Sequence, residues 1–318
     1  MNTAGQKTTS LKQYLRIYNI LTDAGVDPNT PGDVERYLST KQGHKGLIKD
    51  TTKRNYYVAI LGLNDATIVS DGKSKLFTLS DDTRLRYIDI IKTLERERAE
   101  TNDQQTRTET MQANWISWAE LYELIVKETQ TFNEMEAAGA TPTKLMNQLQ
   151  RVLILSFFYR LPPLRNDYAN TRIVLKPPTT RQWNYVSTRD RVFYLNTFKT
   201  VRTIGVQQRA MSGPEFDSIF TFLDKLIALR VAAKVPVKNR KFLLLNPSNN
   251  EKMTPNGLTK YLNGIFGKKI GSTQLRRIYM SHTFPVYEGE TQADRLKVNA
   301  FMGHNLKTQN VYRKITDK

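Results

Sequence analysis

The amino-acid sequence predicts a mainly α-helical protein with one small antiparallel β-sheet, arranged as two domains. Three observations carry that expectation. Apolar residues recur at helical spacing along most of the chain, as in Leu11, Tyr14, Leu15, Tyr18 and Leu21. Short β-prone runs are confined to the middle of the second half. The 318 residues exceed the usual length of one domain, and the composition changes near Asn114-Trp115.

Taken in order, residues 10–65 read as a small helical module. Thr30-Pro31 starts its second helix, with Pro at the first position and Val34, Tyr37 and Leu38 turned inward. Thr51-Thr52 precedes a third, carrying Tyr56, Tyr57, Ile60 and Leu61. Ser70 to Lys75 is a polar, turn-rich break. A long charged helix follows over 81–108, and its aliphatic-poor continuation, Glu100 to Gln112, reads as a linker. The domains are therefore placed at 1–110 and 111–318.

In the second domain Trp118, Leu121, Leu124 and Ile125 mark one helix. Thr141-Pro142-Thr143 opens another, which Leu161-Pro162-Pro163 ends. Strands are expected at Arg172 to Leu175, Val192 to Asn196, Gly205 to Gln208 and Phe242 to Leu245. Helices follow from Gly213-Pro214-Glu215, from Thr254-Pro255, over Thr273 to His282, over Gln292 to Phe301, and near Tyr312.

The formal net charge of +18 calls for a polyanionic partner, and nucleic acid is the leading candidate. A long basic amphipathic helix, which a membrane surface would ask for, is missing. Lys41, Lys45, Lys49, Lys53 and Arg54 crowd one loop and helix start, where they are candidates for phosphate contacts, or else a solvated charged face. The chain has no cysteine, which excludes disulfides, thiolate catalysis and cysteine-ligated zinc. His44, His282 and His304 show no metal-ligand spacing, and His282 reads as a capping or core residue. Met1 to Ser10 carry no apolar signal core, and the longest apolar run, Val152 to Tyr159, is too short to span a bilayer. The expectation is an intracellular protein that is neither secreted nor membrane-bound.

The chemistry concentrates near the carboxyl end. His304 follows Gly303, and Tyr312 lies about two helical turns on. Upstream stands Gln274-Leu275-Arg276-Arg277-Ile278-Tyr279, with Arg277 a further candidate for DNA contact. Arg165 follows the proline stop of a buried helix, and Lys199 lies on the shoulder between two strand-like runs. Arginine clamps phosphate oxygens through a planar fork, histidine donates or moves a proton, and tyrosine can attack as a covalent nucleophile.

Arg165, Lys199, Arg276, His304 and Tyr312 stand in the order used by tyrosine recombinases, the phage-integrase-like DNA breaking-rejoining enzymes, and residues 114–318 resemble that family. Leu275-Arg276-Arg277 looks like its His-x-x-Arg segment and Phe301-Met302-Gly303-His304 like its Leu-Gly-His segment. Asn256 to Leu262 is similar to the helix before the second arginine. The resemblance implies a helical core-binding domain joined to a catalytic domain, and cleavage and rejoining of DNA through a 3′-phosphotyrosyl intermediate. It implies no cofactor and no metal. Double-stranded DNA is the partner, held by a homo-tetramer that is a monomer or dimer in free solution.

The chain departs from the pattern in several places. Thr273 replaces the family histidine, so it can bond a phosphate oxygen but not shuttle a proton. His304 and Tyr312 are one position closer than is usual. The acid that often follows the first arginine by three is Tyr168 here, with Asp167 one position early. The tail after Tyr312 is short, so subunits are expected to pair in another way. These features point to a divergent branch, such as integrases of viruses or mobile elements of eukaryotic hosts. A type IB topoisomerase-like relaxing enzyme, or a DNA-binding protein from a decayed recombinase, are the alternatives.

Overall fold

The structure, a computed structural model, describes residues 3–44, 46–70, 73–103, 106–283, 291–303 and 311–314. The chain falls into two units, Met1–Gln104 and Gln105–Lys318, divided slightly ahead of the expected boundary.

The first unit runs α1 (Thr3–Asp23), α2 (Pro31–Thr40), β1 (Gln42–Gly43), β2 (Gly46–Leu47), α3 (Asp50–Gly62), β3 (Ala66–Ser70), β4 (Lys73–Phe77) and α4 (Asp81–Asp103). Pro31 sits in the first turn of α2, where its missing N–H costs nothing. Leu21, Val34, Leu38, Tyr57, Ile60 and Tyr87 form a common core, and the Tyr87 hydroxyl donates to the Pro28 carbonyl at 2.7 Å. The Ser70–Lys75 stretch is not a simple break. Ser70 and Lys73 to Lys75 pair within an antiparallel hairpin, with Ala66 opposite Phe77, pinned to the core by buried Ile68 and Phe77. Too few apolar residues alternate there for a period of two to show in the sequence.

The second unit runs α5 (Glu109–Ala113), α6 (Trp118–Ala137), α7 (Pro142–Arg160), β5 (Thr171–Val174), β6 (Asn184–Ser187), β7 (Val192–Leu195), α8 (Val201–Ile204), β8 (Gln207–Ala210), α9 (Asp217–Ala232), α10 (Pro255–Phe266), α11 (Ser272–Thr283) and α12 (Gln292–Met302). Ser117 and Glu120 close a capping box at the start of α6. Helix α7 is the hub, buried from Leu149 through Phe158 except Arg151 and packed against α6 and α9.

The sheet has the order β5-β6-β7-β8 and is mixed, not antiparallel throughout, because β5 and β6 run parallel. Strand β6 escaped the sequence reading because all four of its residues are buried, polar Asn184 and Ser187 included, so no alternation marks it. Asn184 is satisfied instead by the backbone of Asp167, Asn196 and Thr197. Phe242 to Leu245 is buried as expected but forms only isolated bridges. The Leu243 N–H donates to the Thr171 carbonyl of β5 at 2.8 Å, but side chains take several of the segment's other backbone groups. Fully buried Arg230 donates to the carbonyls of Arg240, Phe242 and Leu243, and Gln150 bonds both the N–H and the carbonyl of Leu245. Among the described residues no helix is long and apolar enough to cross a membrane.

Candidate active site

Helix α7 ends where Leu161-Pro162-Pro163 forbids another turn, and Arg165 follows at once, opening the 3-10 turn Asn166–Asn170. Helix α12 ends at Gly303, whose φ of +69° is the left-handed cap that glycine supplies without strain. The last carbonyls of a helix have no partner within it and carry its partial negative charge. Here two guanidiniums take them. Arg276 donates to the Met302 carbonyl at 2.9 Å, and Arg165 to the Gly303 carbonyl at 3.2 Å. The same nitrogen of Arg276 donates to the Pro163 carbonyl at 2.8 Å. Three segments distant in sequence therefore meet at one point, each bonded to the next through an arginine.

Asn166 braces the assembly from below. Its side chain donates to Thr259 on α10 at 3.1 Å and accepts from Ser272, the first residue of α11, at 2.8 Å. That fixes the start of the helix that carries Arg276.

Tyr312 lies against this junction. Like Tyr279 and Val298 it packs against the buried pair Met280 and Met302, and the Arg276 guanidinium sits 4.7 Å from its ring centre. Burial pushes the phenol's pKa up, but the nearby charges of Arg276 and Arg165, and their hydrogen bonds to it, outweigh that and hold it below its ordinary value. Arg276 is completely buried. Desolvation pulls its pKa down to about 10, with Arg165 adding to the effect and Tyr312 and Asp167 opposing it. It stays a cation at neutral pH.

Lys199 is exposed, in the connection from β7 to β8. Its neighbours anchor that connection to the site. The Thr200 hydroxyl donates to the Gly303 carbonyl at 2.7 Å, and a Cβ on Gly303 would meet the Phe198 ring at 3.0 Å. The residues on either side of Lys199 thus hold its backbone near the carbonyl to which Arg165 donates. Thr273 falls in the first turn of α11 but is exposed and makes no hydrogen bond to the described residues. The expected phosphate-facing hydroxyl is therefore open to solvent, where the helix start leaves it. His304 lies outside the described residues, as does Lys45.

Arg277, the further candidate for DNA contact, lies on the same helix as Arg276. It is half-buried and close enough to Tyr312 to feel its charge. The other basic candidates belong to the first unit. The Lys41 ammonium donates to the Tyr37 hydroxyl and lies over the rings of Tyr37 and Tyr56. Lys53 pairs with Asp50 at 3.0 Å, and Arg54 with Glu95. Lys49 sits at the N-cap of α3. His282 is neither cap nor core: it is exposed and stacks on Trp118, with ring centres 5.3 Å apart.

Two participants were not assigned from the sequence. Asp167 faces both arginines: burial raises its carboxyl pKa, although Arg165, Arg276 and two backbone N–H groups oppose the rise. Its position two after Arg165 was the available signal. Lys314 is 5% exposed, beside Arg277, and nothing in its sequence context marks it. Among the described residues no group of three potential metal ligands occurs. The site offers a buried cationic junction, a phenol held below its ordinary pKa, and an exposed lysine in the adjoining connection. Against known proteins, the chain matches no family model, no curated protein and no solved structure.

Proposed function

We propose that the protein is a tyrosine-type DNA strand transferase, a site-specific recombinase or integrase that cuts and rejoins DNA through a 3′-phosphotyrosyl intermediate. The observation that carries this reading is the meeting of Arg165 and Arg276 at the ring of Tyr312. The Tyr312 oxygen attacks the scissile phosphorus, giving up its proton, and His304 either accepts that proton or donates to the non-bridging oxygens. The bond from phosphorus to the 5′ oxygen breaks, and Lys199 protonates that oxygen as it leaves. Arg165 and Arg276 take the non-bridging oxygens, whose charge grows in the transition state. Rejoining is the reverse path with another strand's 5′-hydroxyl. Since the ester conserves the bond energy, the cycle needs no ATP.

On this reading residues 111–318 are the catalytic domain and 1–110 the core-binding domain, the DNA is double-stranded, and four protomers act together inside a cell. Thr273, standing where the family carries a histidine that can move a proton, supports a second reading, a DNA-binding protein that has lost its chemistry. One experiment separates them. A nicked duplex that traps the cleaved state should give a denaturant-resistant adduct with the parent chain and none with Tyr312→Phe, which should still bind DNA. No adduct with the parent chain on any substrate, or an undiminished one with Tyr312→Phe, overturns the proposal.

A further inference from the structure

Consecutive residues of a helix point about 100° apart, so Arg276 and Arg277 cannot project side by side. Arg276 turns into the junction. Arg277 belongs to another strip of α11, shared with Gln274 and Ser281 at helical spacing. Its guanidinium donates to the Gln274 side-chain oxygen at 3.3 Å. One turn on, the Ser281 hydroxyl accepts from the Lys314 backbone N–H at 2.8 Å, which fixes the chain beyond Tyr312 to the same strip. Lys314 is buried there beside Arg277.

This strip holds donors without acceptors. The Arg277 Nε and the Gln274 amide nitrogen are buried and make no hydrogen bond. Burial pulls the pKa of both Arg277 and Lys314 down. The Tyr312 charge opposes this at Arg277, the Arg277 charge adds to it at Lys314, and no carboxylate among the described residues contributes at either. Two cations with no anion between them among the described residues repel each other, and buried donors left unmade are costly. Such an arrangement persists where an anion completes it.

We propose that Arg277 and Lys314 form a second anion site, distinct from the Arg165–Arg276 pair, which takes one backbone phosphate of the DNA beside the phosphate that Tyr312 attacks. The inference rests on the strand-transferase reading for the identity of the anion, but its test does not depend on cleavage. One phosphate shared by two cations counts once in the release of counterions.

The test is the salt dependence of duplex binding, measured with the full chain in the Tyr312→Phe background. Arg277→Gln, Lys314→Gln and the double variant are compared with that parent. The double variant should lower the slope of log K against log salt by about 0.9, the share of a single phosphate, and not by twice that. Arg277→Lys and Lys314→Arg should keep the parent slope. If a neutral variant does not fold, inorganic phosphate on the parent chain replaces it. Phosphate should then raise the thermal midpoint above that in chloride of equal ionic strength. An unchanged slope in folded double variants, or equal midpoints in the two salts, overturns the proposal. A lowered slope in a protein whose Tyr312 form never makes an adduct would keep the phosphate site and remove the strand-transferase reading.

Discussion

Replacing Arg276 by glutamine should move the acid limb of the adduct-forming reaction to higher pH. The guanidinium carbon is 4.7 Å from the Tyr312 ring centre. Two unit charges at that distance interact by about 3.5 kcal/mol at an effective dielectric near 20, and by about 0.9 kcal/mol in bulk water. The phenol is half-buried, so solvent screening brings the figure to roughly 1–2 kcal/mol, or about one pH unit. The sign follows from the causes: Arg276 holds the phenol's pKa down, so its removal lets burial push that pKa up and lowers the ionised fraction at a given pH. The same substitution costs stability through another route, because the Pro163 and Met302 carbonyls lose their donor, at about 1–3 kcal/mol each. A group with a depressed pKa contributes its stability above its ordinary value and loses it as pH falls through the folded one. The assay is single-turnover adduct formation on a nicked duplex against pH, well below the thermal midpoint. Arg276→Gln should shift the limb up by about one unit, whereas Arg276→Lys should keep the charge and the limb while losing rate. An unshifted limb in folded Arg276→Gln would refute the assignment of Arg276 as the group that sets the phenol.

Gly303→Ala combines a left-handed φ with a Cβ placed 3.0 Å from the Phe198 ring and 3.1 Å from the Thr200 hydroxyl. It should cost about 2–4 kcal/mol and cut adduct formation more than tenfold, with DNA affinity nearly unchanged; equal losses of both would argue against local displacement of the Lys199 connection. Glu128→Gln breaks a paired contact, since Arg151 meets both carboxylate oxygens of nearly buried Glu128 at 2.7 Å. Arg151 is part exposed, so the loss should lie near 2 kcal/mol, a fall in the thermal midpoint of roughly 4–8 °C. Burial raises the Glu128 pKa, but Arg151 and Gln148 together hold it below the ordinary value. The advantage of the parent chain should therefore be full above the usual carboxylate range and fade as pH falls through the folded pKa, and a midpoint difference constant down to strongly acid pH would contradict the pairing.

Some of this architecture is legible in the sequence because it depends on local chemistry. Proline and glycine announce where α7 and α12 stop, and those stops are where Arg165 and Gly303 stand. The apolar face of α7 is written in its own residues. What escaped depends on partners far away in the chain. Strand β6 is invisible because neighbours on each side bury it, and the β3–β4 hairpin because its core contacts come from other elements. Phe242 to Leu245 looks like a strand because nothing local shows that Arg230 and Gln150 take several of its backbone groups. Side-chain direction is the other gap. The sequence names Thr273, Arg276 and Arg277 on one helix, but only packing decides that the first is exposed, the second sealed and the third half-buried.

That division of roles on α11 has a consequence for how charge is distributed around Tyr312. Arg276 is satisfied by carbonyls that hold it in place whether or not a ligand is present, so its charge is fixed before any substrate arrives. Arg165 is tied in the same way to Gly303. Carbonyls orient a guanidinium without neutralising it, whereas a carboxylate would do both. The one acid among the described residues that faces the pair, Asp167, is itself pushed toward its neutral form by burial. The junction therefore keeps a positive excess in a buried environment, and that excess acts on whatever carries negative charge there: the phenolate first, then a phosphate. A carboxylate introduced next to the pair, as by Asn166→Asp, would cancel part of that excess without removing either arginine.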